Sequence, residues 1–246
     1  QRAALAAKSG EDVVPHVLVM SATPIPRTLA LMIYGDLDVS VIDQLPPGRT
    51  PIETYVVRED KRQRMYNFVR SQVAEGRQAY IICPAVEDNP ALSGEERPAL
   101  NLKSVKTYAE TLQREVFPDL RLGVLHGKMK PKEKEAAMSS FSSGETQVLV
   151  ATTVVEVGVD VPNASLIIIE NADRFGLSQL HQLRGRVGRG AHRSHCVLIT
   201  ATRSLEAMER LRVLASTTDG FQISEEDLKA RGPGDFFGNR QHGLPQ

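Results

Sequence analysis

The amino-acid sequence predicts an α/β protein in which helices cover both faces of a parallel sheet. Short apolar runs recur along the chain, for example at 79–83, 148–151 and 166–169, and stretches of helical length separate them. These runs are apolar at consecutive positions rather than at alternate ones, which is typical of strands buried on both faces. Strands of this type that alternate with helices form parallel sheets between two helical layers.

The predicted elements follow one another in a regular order after residue 50. Strands are predicted at 52–57, 79–83, 121–125, 148–151, 166–169 and 196–200. Helices are predicted at 61–75, 102–116, 131–142, 178–186 and 203–215. Pro84 ends the second strand, and residues 88–101 form a predicted loop because they combine prolines, a glycine and clustered acidic side chains.

A proline-rich connector, Leu45-Pro46-Pro47-Gly48-Arg49, interrupts this order near the start of the chain. Such a stretch is stiff, so we place a domain boundary there. Before it we predict a helix at 1–9, a strand at 15–20, a turn at 21–27, a helix to about residue 34 and a strand at 38–42. Three parts result: residues 1–48, residues 49–217, and a tail at 218–246 that begins as a short helix and continues as an extended stretch rich in glycine and arginine.

The composition is that of an ordinary globular protein and limits the kinds of partner. Of the 246 residues, 41% are apolar and 24% are charged, and the 30 basic and 30 acidic side chains cancel. A nucleic-acid contact must therefore come from a local basic patch. Cys83 and Cys196 form neither a zinc pattern nor a disulfide framework, which favours a reducing cytoplasm. The sequence shows no signal peptide and no apolar run of membrane-spanning length, so no membrane partner is expected.

The clearest chemical signal is the arginine segment, residues 182–190, with the sequence Gln-Leu-Arg-Gly-Arg-Val-Gly-Arg-Gly. It brings Arg184, Arg186 and Arg189 together, with Arg193 close behind and no acidic side chain among them. Guanidinium groups match phosphate oxygens in a bidentate way and stay charged at any working pH. Glycines at 185, 188 and 190 leave the backbone open to a bulky anion. We predict a phosphate site here; the alternative is a solvated basic turn.

Three segments are predicted to lie where strands end and helices begin, the edge at which open parallel sheets bind ligands. They are the arginine segment, residues 125–129 and residues 151–162. At 125–129, His126 and Gly127 precede a helix whose N-terminus favours an anion. The alternative for this segment is a simple strand-to-helix turn.

The segment at 151–162 combines hydroxyl groups with one carboxylate. Thr152 and Thr153 can bond a phosphate oxygen, and Asp160, beyond Gly158, can accept a hydrogen bond from a sugar hydroxyl. The alternative is that the two threonines only cap the following turn.

The sequence lacks the parts that would cradle a nucleotide and its metal. It has no Gly-x-x-x-x-Gly-Lys-Ser/Thr loop and no strand that ends in an Asp-Glu pair for Mg²⁺, and we predict no metal site in it. An arginine directed at a γ-phosphate acts only if another element holds the nucleotide. The first residue is not Met and lies in an alanine-rich run. We therefore expect a piece of a longer protein that is inactive towards ATP on its own.

In order and spacing, these segments resemble the motifs of superfamily 2 helicases. Ser21-Ala22-Thr23 resembles motif III, Thr152 to Asp160 resembles motif V, and Gln182-x-x-Gly-Arg186-x-Gly-Arg189 resembles motif VI. Residues 21–31, 34–38 and 45–49 narrow the resemblance to the RecG family of branch-migrating DNA helicases. The tail at 231–243 resembles that family's translocation segment. Transcription-repair coupling factors share the general form of this tail and are the alternative family.

This resemblance implies a RecA-like (P-loop NTPase-type) second motor lobe at 49–217, with residues 1–48 as a remnant of the first lobe. Arg189 and Arg186 would contact the ATP phosphates, Gln182 would position the catalytic water or the γ-phosphate, and Asp160, with Gly158 beside it, would contact the ribose. The DNA backbone contacts would come from His126, Gly127, Thr152 and Thr153. Coupling between lobes and DNA would involve Ser21, Ala22, Thr23, Arg231, Arg240 and Gln241.

The implied cofactor is ATP with Mg²⁺, held mainly by a first lobe that this sequence lacks. The implied partners are branched DNA (stalled forks and Holliday junctions) and the N-terminal lobe and wedge domain of the same protein, in the bacterial cytoplasm. Two further hypotheses remain open: the motor lobe of a transcription-repair coupling factor, and a nucleic-acid-binding module without enzymatic activity. A small-molecule enzyme on a doubly wound sheet is disfavoured, because the sequence has no Gly-x-Gly-x-x-Gly fingerprint.

Overall fold

Six parallel strands form one sheet in the part of the chain that the structure describes. The structure, a computed structural model, describes residues 49–84, 105–152 and 160–231, together with the single residues 18, 20, 40 and 42. The strands are β1 (Ile52–Arg58), β2 (Gln78–Ile82), β3 (Leu122–Leu125), β4 (Val148–Ala151), β5 (Ala164–Ile169) and β6 (Ser194–Thr200). Their order across the sheet is β1-β6-β5-β2-β4-β3, and every pairing is parallel. The predicted α/β class with a parallel sheet is confirmed.

Helices alternate with these strands at the positions that the sequence predicts, to within a few residues. They are α1 (Arg62–Ala74), α2 (Val105–Thr111), α3 (Pro131–Ser142), α4 (Leu177–Arg184), α5 (Leu205–Ser216) and α6 (Gly220–Arg231). A π-helical turn, Leu112–Val116, extends α2, and short 3₁₀ turns lie at Glu59–Lys61 and Ala172–Arg174. The predictions for residues 1–48, for the loop at 88–101 and for the tail after residue 231 lie outside the described residues, apart from the four single positions.

Alternating residues of each strand face two separate apolar cores, one on each side of the sheet. In β2, Ala79 and Ile81 pack with α1 and α2, whereas Tyr80 and Ile82 pack on the opposite face with α3, α4, α5 and α6. Phe141 of α3 and Ile223 of α6 are both buried in this second core. Burial of a large apolar side chain contributes about 1.5–3 kcal/mol, so these two layers fix the positions of the loops at the sheet edges.

Local sequence signals set the beginnings of two helices on the second face. Pro131 is the first residue of α3, and the Glu133 carboxylate accepts a hydrogen bond from the Lys130 N–H at 2.9 Å. Ser204 Oγ accepts from the Ala207 N–H at the start of α5, at 3.3 Å. No helix in the described ranges is both long enough and apolar enough to cross a membrane.

Candidate functional site

The candidate residues lie at the two opposite ends of the parallel strands. We call these ends the carboxyl edge and the amino edge of the sheet. His126 and Thr152 follow the carboxyl ends of β3 and β4, as predicted. The arginine segment instead precedes β6, and Asp160 precedes β5, so both lie at the amino ends of their strands. The prediction that the arginine segment lies at the carboxyl edge is therefore wrong. The reason is that α4 begins beyond the carboxyl end of β5 and returns the chain to the amino end of β6.

At the amino edge, an ion pair joins the two motifs that the sequence separates by 29 residues. Arg189 Nη1 lies 3.1 Å from Asp160 Oδ1, and Arg189 Nε donates to the Gly185 carbonyl oxygen at 3.1 Å. The Asp160 side chain is 59% exposed and that of Arg189 is 25% exposed. Asp160 therefore orients the guanidinium without burying it, and both groups remain accessible to a ligand at this edge.

Two glycines allow the arginine segment to approach the starts of β1 and β5. Gly188 has a φ of +76°, and a Cβ there would lie 2.8 Å from Ile52 Cγ1. A Cβ on Gly190 would lie 2.4 Å from the carbonyl oxygen of Pro162. The Pro162 backbone thus occupies the space beside Gly190, and the interpretation of this glycine as room for an anion is wrong. Its role is close backbone packing.

Arg184 is not part of this exposed site. Its side chain is buried, with 3% of its surface exposed. Nη1 donates to the carbonyl oxygens of Leu214 and Thr217 at 2.6 and 2.8 Å, and Nη2 lies 3.3 Å from His181 Nδ1. Because an arginine cannot accept a hydrogen bond, His181 accepts here through an unprotonated Nδ1. The prediction that Arg184 belongs to a phosphate site is wrong.

The helical spacing of α4 carries a sequence signal for the burial of Arg184. The buried residues of α4 are Leu177, Leu180, Leu183 and Arg184, which recur at intervals of three and four. This spacing places Arg184 on the apolar face of the helix, towards α5 and α6.

Gln182 and Arg186 are half-buried. Burial raises the pKa of Tyr80 to about 12, while the positive charges of Arg186 and Arg189 act in the opposite direction. A carboxylate and guanidinium groups in one segment of the amino edge can bind a sugar hydroxyl and phosphate oxygens.

The carboxyl edge carries two buried polar atoms in need of a partner. His126 Nε2 and Thr152 Oγ1 have no hydrogen-bond partner within the described part of the chain. The Thr152 N–H donates to the Leu125 carbonyl at 3.0 Å, which holds the two segments side by side. Burial and then the charge of Lys106 lower the pKa of His126, with smaller effects of nearby lysines. A neutral imidazole and a hydroxyl next to lysines suit a phosphate backbone.

Several predicted site residues lie outside the described residues, and their placement is not tested. These are Ser21, Ala22, Thr23, Thr153, Gly158, Arg240 and Gln241. Gly127 is exposed in the turn after β3, and Arg231 is the last residue of α6. In the described ranges, no group of three or more His, Cys, Asp or Glu residues could hold a metal ion.

A buried polar network at the carboxyl end of β5 was not predicted. Arg62 of α1 donates from Nη1 and Nη2 to the two carboxylate oxygens of Glu170, at 2.7 and 2.9 Å. Tyr108 of α2 donates to the same carboxylate, and Glu59 binds the other side of the guanidinium at 2.6 and 2.7 Å. Burial opposes the charge of Arg62, but hydrogen bonds to Glu170 and Glu59 outweigh it and raise its pKa. The sequence signal for this network was Glu170, an acidic residue directly after the apolar strand β5.

Neither thiol of the chain is available for chemistry. Cys83 and Cys196 are unpaired and buried. Burial raises the pKa of each thiol to about 12, so almost no thiolate forms near neutral pH.

Comparison with known proteins identifies the class to which this fold belongs. The helicase conserved C-terminal domain matches residues 60–191, so the chain belongs to this family. The fold is that of the second RecA-like lobe of superfamily 2 helicases. Domain 2 of the DEAD-box helicase Mss116p has the same fold, with a TM-score of 0.50, 20% identity and 65% of this chain covered.

Within that class the similarity is to RecG. The chain is 54% identical over 245 residues to the ATP-dependent DNA helicase RecG of Synechocystis sp., covering 100% of this chain and 28% of the relative. It is 53% identical over 231 residues to RecG of Escherichia coli K12, covering 93% of this chain and 32% of that protein. A structure of RecG bound to a three-way DNA junction matches with a TM-score of 0.74 and 48% identity, over 91% of this chain and 28% of that one.

These comparisons confirm the predicted resemblance to RecG helicases. They also show that the chain spans only about a third or less of the length of these relatives.

Proposed function

We propose that this chain is the second motor lobe of an ATP-dependent DNA translocase that remodels stalled replication forks and Holliday junctions. The observation that carries the proposal is the Arg189–Asp160 pair, because it brings motif V and motif VI together at one accessible edge. The similarity to RecG helicases supports branched DNA as the substrate and disfavours a transcription-repair coupling factor.

At the amino edge, we assign the nucleotide contacts to motifs V and VI. Arg189, and next to it Arg186, would stabilise the charge on the phosphates, and Gln182 would orient the water or the γ-phosphate. Asp160 would accept from the ribose hydroxyls, beside Gly158. ATP with Mg²⁺ would be held mainly by a first lobe. Its hydrolysis would supply the free energy for translocation.

At the carboxyl edge, His126, Gly127, Thr152 and Thr153 would contact the DNA backbone. The buried Nε2 and Oγ1 atoms without a described partner support this assignment, because a phosphate oxygen or its water would satisfy them. The nucleotide and the DNA would therefore bind at opposite edges of one sheet. Residues 153–159 of motif V would connect Thr152 at the DNA site with Asp160 at the nucleotide site.

The remaining parts of the proposal concern the connections of this lobe. Residues 1–48 would belong to the first lobe, with Ser21-Ala22-Thr23 coupling nucleotide and DNA. Residues 49–217 would form the motor lobe, and residues 218–246 would pass its motion to the duplex through Arg231, Arg240 and Gln241. The N-terminal lobe and a wedge domain of the same protein would complete the enzyme, in the bacterial cytoplasm where the chromosome lies.

The proposal is tested with the full-length protein on a synthetic three-way junction with labelled arms. We expect strand exchange at the junction with ATP and Mg²⁺, and none with a non-hydrolysable ATP analogue. A nucleic-acid-binding module without enzymatic activity would bind the same junction equally well in both conditions and exchange no strands. That result, with the junction demonstrably bound, would contradict the proposal.

A further inference from the structure

We infer that Lys106, at the start of α2, is a further contact to the DNA backbone and that Tyr108 positions it. This inference rests on the proposed function, because it takes the carboxyl edge as the DNA-binding edge. Lys106 lies outside the segments that resemble helicase motifs, so it is not among the predicted site residues.

Hydrogen bonds fix the start of α2 at the carboxyl edge of the sheet. Tyr108, in the first turn of α2, donates from its hydroxyl to Glu170 Oε1 and accepts from Arg62 Nη1 at 3.2 Å. Glu170 directly follows the carboxyl end of β5, and Arg62 begins α1 just beyond the carboxyl end of β1. A buried carboxylate and a guanidinium therefore hold this turn of α2 in place.

Lys106 is an exposed residue of this anchored turn. Val105, Tyr108 and Ala109 are buried residues of α2, whereas Lys106 is exposed to solvent. The same helix packs against β3, the strand that ends next to His126. The positive charge of Lys106 lowers the pKa of His126, second only to burial. The Lys106 ammonium is therefore within electrostatic reach of the predicted DNA contact.

Positive charge surrounds His126 from both faces of the sheet. Lys106 belongs to α2, which packs in the core shared with α1, whereas Lys128 and Lys134 lie in and before α3 on the opposite face. All three lysines lower the pKa of His126, and Glu133 acts in the opposite direction. Three cations and one carboxylate leave a net positive potential here, which attracts a polyanion.

The polar atoms at this edge need a charged neighbour in order to hold a phosphate. His126 Nε2 and Thr152 Oγ1 are buried and have no partner in the described ranges of the chain. They can form hydrogen bonds with a phosphate group, but a neutral imidazole and a hydroxyl do not compensate its charge. Lys106 supplies that charge from the side of α2, and its contact releases a counterion from the DNA.

The Tyr108 hydroxyl acts on DNA binding through Lys106. A lysine loses side-chain entropy when it binds a phosphate, and a mobile backbone would add to that loss. The Tyr108–Glu170 hydrogen bond removes the backbone part, because it fixes the turn that carries Lys106. Loss of the hydroxyl should therefore weaken DNA binding only while Lys106 is present. A hydroxyl that merely stabilised the fold would weaken binding in either case.

The contact is tested by the affinity of the full-length protein for a synthetic three-way junction, without nucleotide, between about 50 and 200 mM salt. Lys106→Ala should reduce the slope of log affinity against log salt by about 0.9, and weaken binding about three- to tenfold at the lowest salt. Lys106→Arg keeps the charge and should keep the slope. The matched control is Arg114→Ala, since Arg114 is 74% exposed in the π-helical turn at the other end of α2. It should also keep the slope.

The positioning role is tested by a double-mutant cycle. Tyr108→Phe should weaken junction binding in the unaltered protein and have no further effect in Lys106→Ala. Its matched control is Tyr66→Phe, because the Tyr66 hydroxyl contacts Arg62 at 3.4 Å but belongs to α1. If Tyr108→Phe does not unfold cooperatively, Glu170→Gln takes its place in the same cycle.

Two results would overturn the inference. One is a slope for Lys106→Ala within about 0.3 of the Arg114→Ala control, which would show that Lys106 contacts no phosphate. The other is an equal loss of affinity on Tyr108→Phe with and without Lys106, which would remove the positioning role. Both results leave the proposed function standing, because it depends on ATP-dependent strand exchange by the unaltered protein. Failure of that exchange would instead contradict the proposed function.

Discussion

Gly188 and Gly190 determine how closely the arginine segment lies on the starts of β1 and β5. Both positions leave no space for a Cβ, but for different reasons. Gly188 has a left-handed backbone conformation and faces the flexible side chain of Ile52. Gly190 faces the rigid backbone of Pro162, which cannot move without shifting β5. The position of Arg189, between the two glycines, therefore depends on backbone packing.

Substitution of Gly190 tests this packing. Gly190→Ala should destabilise the protein by about 1–3 kcal/mol, because the new Cβ would overlap the Pro162 carbonyl. Gly185→Ala is the matched control: Gly185 has a φ of −66°, and its Cβ would lie at an ordinary 3.4 Å from the Gln182 carbonyl. The control should be neutral or stabilising by up to about 1 kcal/mol. Urea denaturation measures both changes, and equal effects of the two substitutions would contradict this account of Gly190.

Helix α4 determines the position of the arginine segment, because Arg184 is its last residue and Arg186 and Arg189 follow directly after it. Its apolar face buries Leu180 and Leu183 in the core, and the same face carries Arg184 towards α5. His181 accepts a hydrogen bond from Arg184, and burial together with the charge of Arg184 lowers its pKa below 6.5. Asp219 acts in the opposite direction but does not reverse the shift.

The lowered pKa of His181 predicts a pH dependence of stability. The folded state prefers the neutral imidazole of His181. The contribution of this residue to the free energy of unfolding is therefore present above pH 6.5 and is lost as the pH falls through the lowered pKa. His181→Gln retains an acceptor for Arg184 but does not titrate. The fall in thermal midpoint between pH 7.5 and pH 5.5 should therefore be smaller in His181→Gln than in the unaltered protein. His126, shifted in the same direction, is present in both and cancels. An equal fall in both proteins would contradict the neutral state of His181.

The Arg62–Glu170 network ties α1 and α2 to the carboxyl end of β5. The Glu170 side chain is 7% exposed, whereas that of Glu59 is 48% exposed. Glu170→Ala should destabilise the protein by about 3 kcal/mol, because it removes the buried carboxylate that neutralises the Arg62 guanidinium and accepts from the Tyr108 hydroxyl. Glu59→Ala should cost at most about 1 kcal/mol, since it removes a surface contact. Denaturant titration of both variants tests this, and similar losses would show that the network is not a buried one.

At the scale of the whole molecule, the sequence was sufficient for the sheet and for the positions of His126 and Thr152 at its carboxyl edge. The apolar runs of β2, β4 and β5 favour buried parallel strands because they are only four to six residues long, rich in β-branched residues and alternate with segments of helical length. His126 and Thr152 could be placed because they directly follow their strands. Local signals thus determined the elements and the carboxyl edge.

The remaining features depend on contacts between distant segments, which spacing alone does not specify. Asp160 and Arg189 meet because α4 reverses the chain, and Arg184 turns inward because the end of α5 lies within its reach. The Arg62–Glu170 contact joins residues 108 positions apart. The same three arginines in a short segment could equally have faced one ligand. Their separation into two half-buried arginines, Arg186 and Arg189, and the buried Arg184 required the structure.

The proposed division of labour between the two edges would explain how one small lobe can serve two ligands. Hydrolysis-dependent closure at the amino edge would move α4, and with it the strands whose opposite ends carry His126 and Thr152.

The central claim is that Arg189 completes a nucleotide site whose other half lies in a first lobe. The most direct measurement is the ATP turnover of the full-length protein with junction DNA, for Arg189→Ala and for the exposed control Arg203→Ala. We predict at least about a 100-fold loss for Arg189→Ala, since an arginine directed at the γ-phosphate contributes about 10³–10⁵ in rate. The fold should be retained, because the Asp160 side chain of the pair is 59% exposed and solvent screening limits such a pair to about 1 kcal/mol. Turnover of a folded Arg189→Ala protein within about threefold of the Arg203→Ala control would contradict the account.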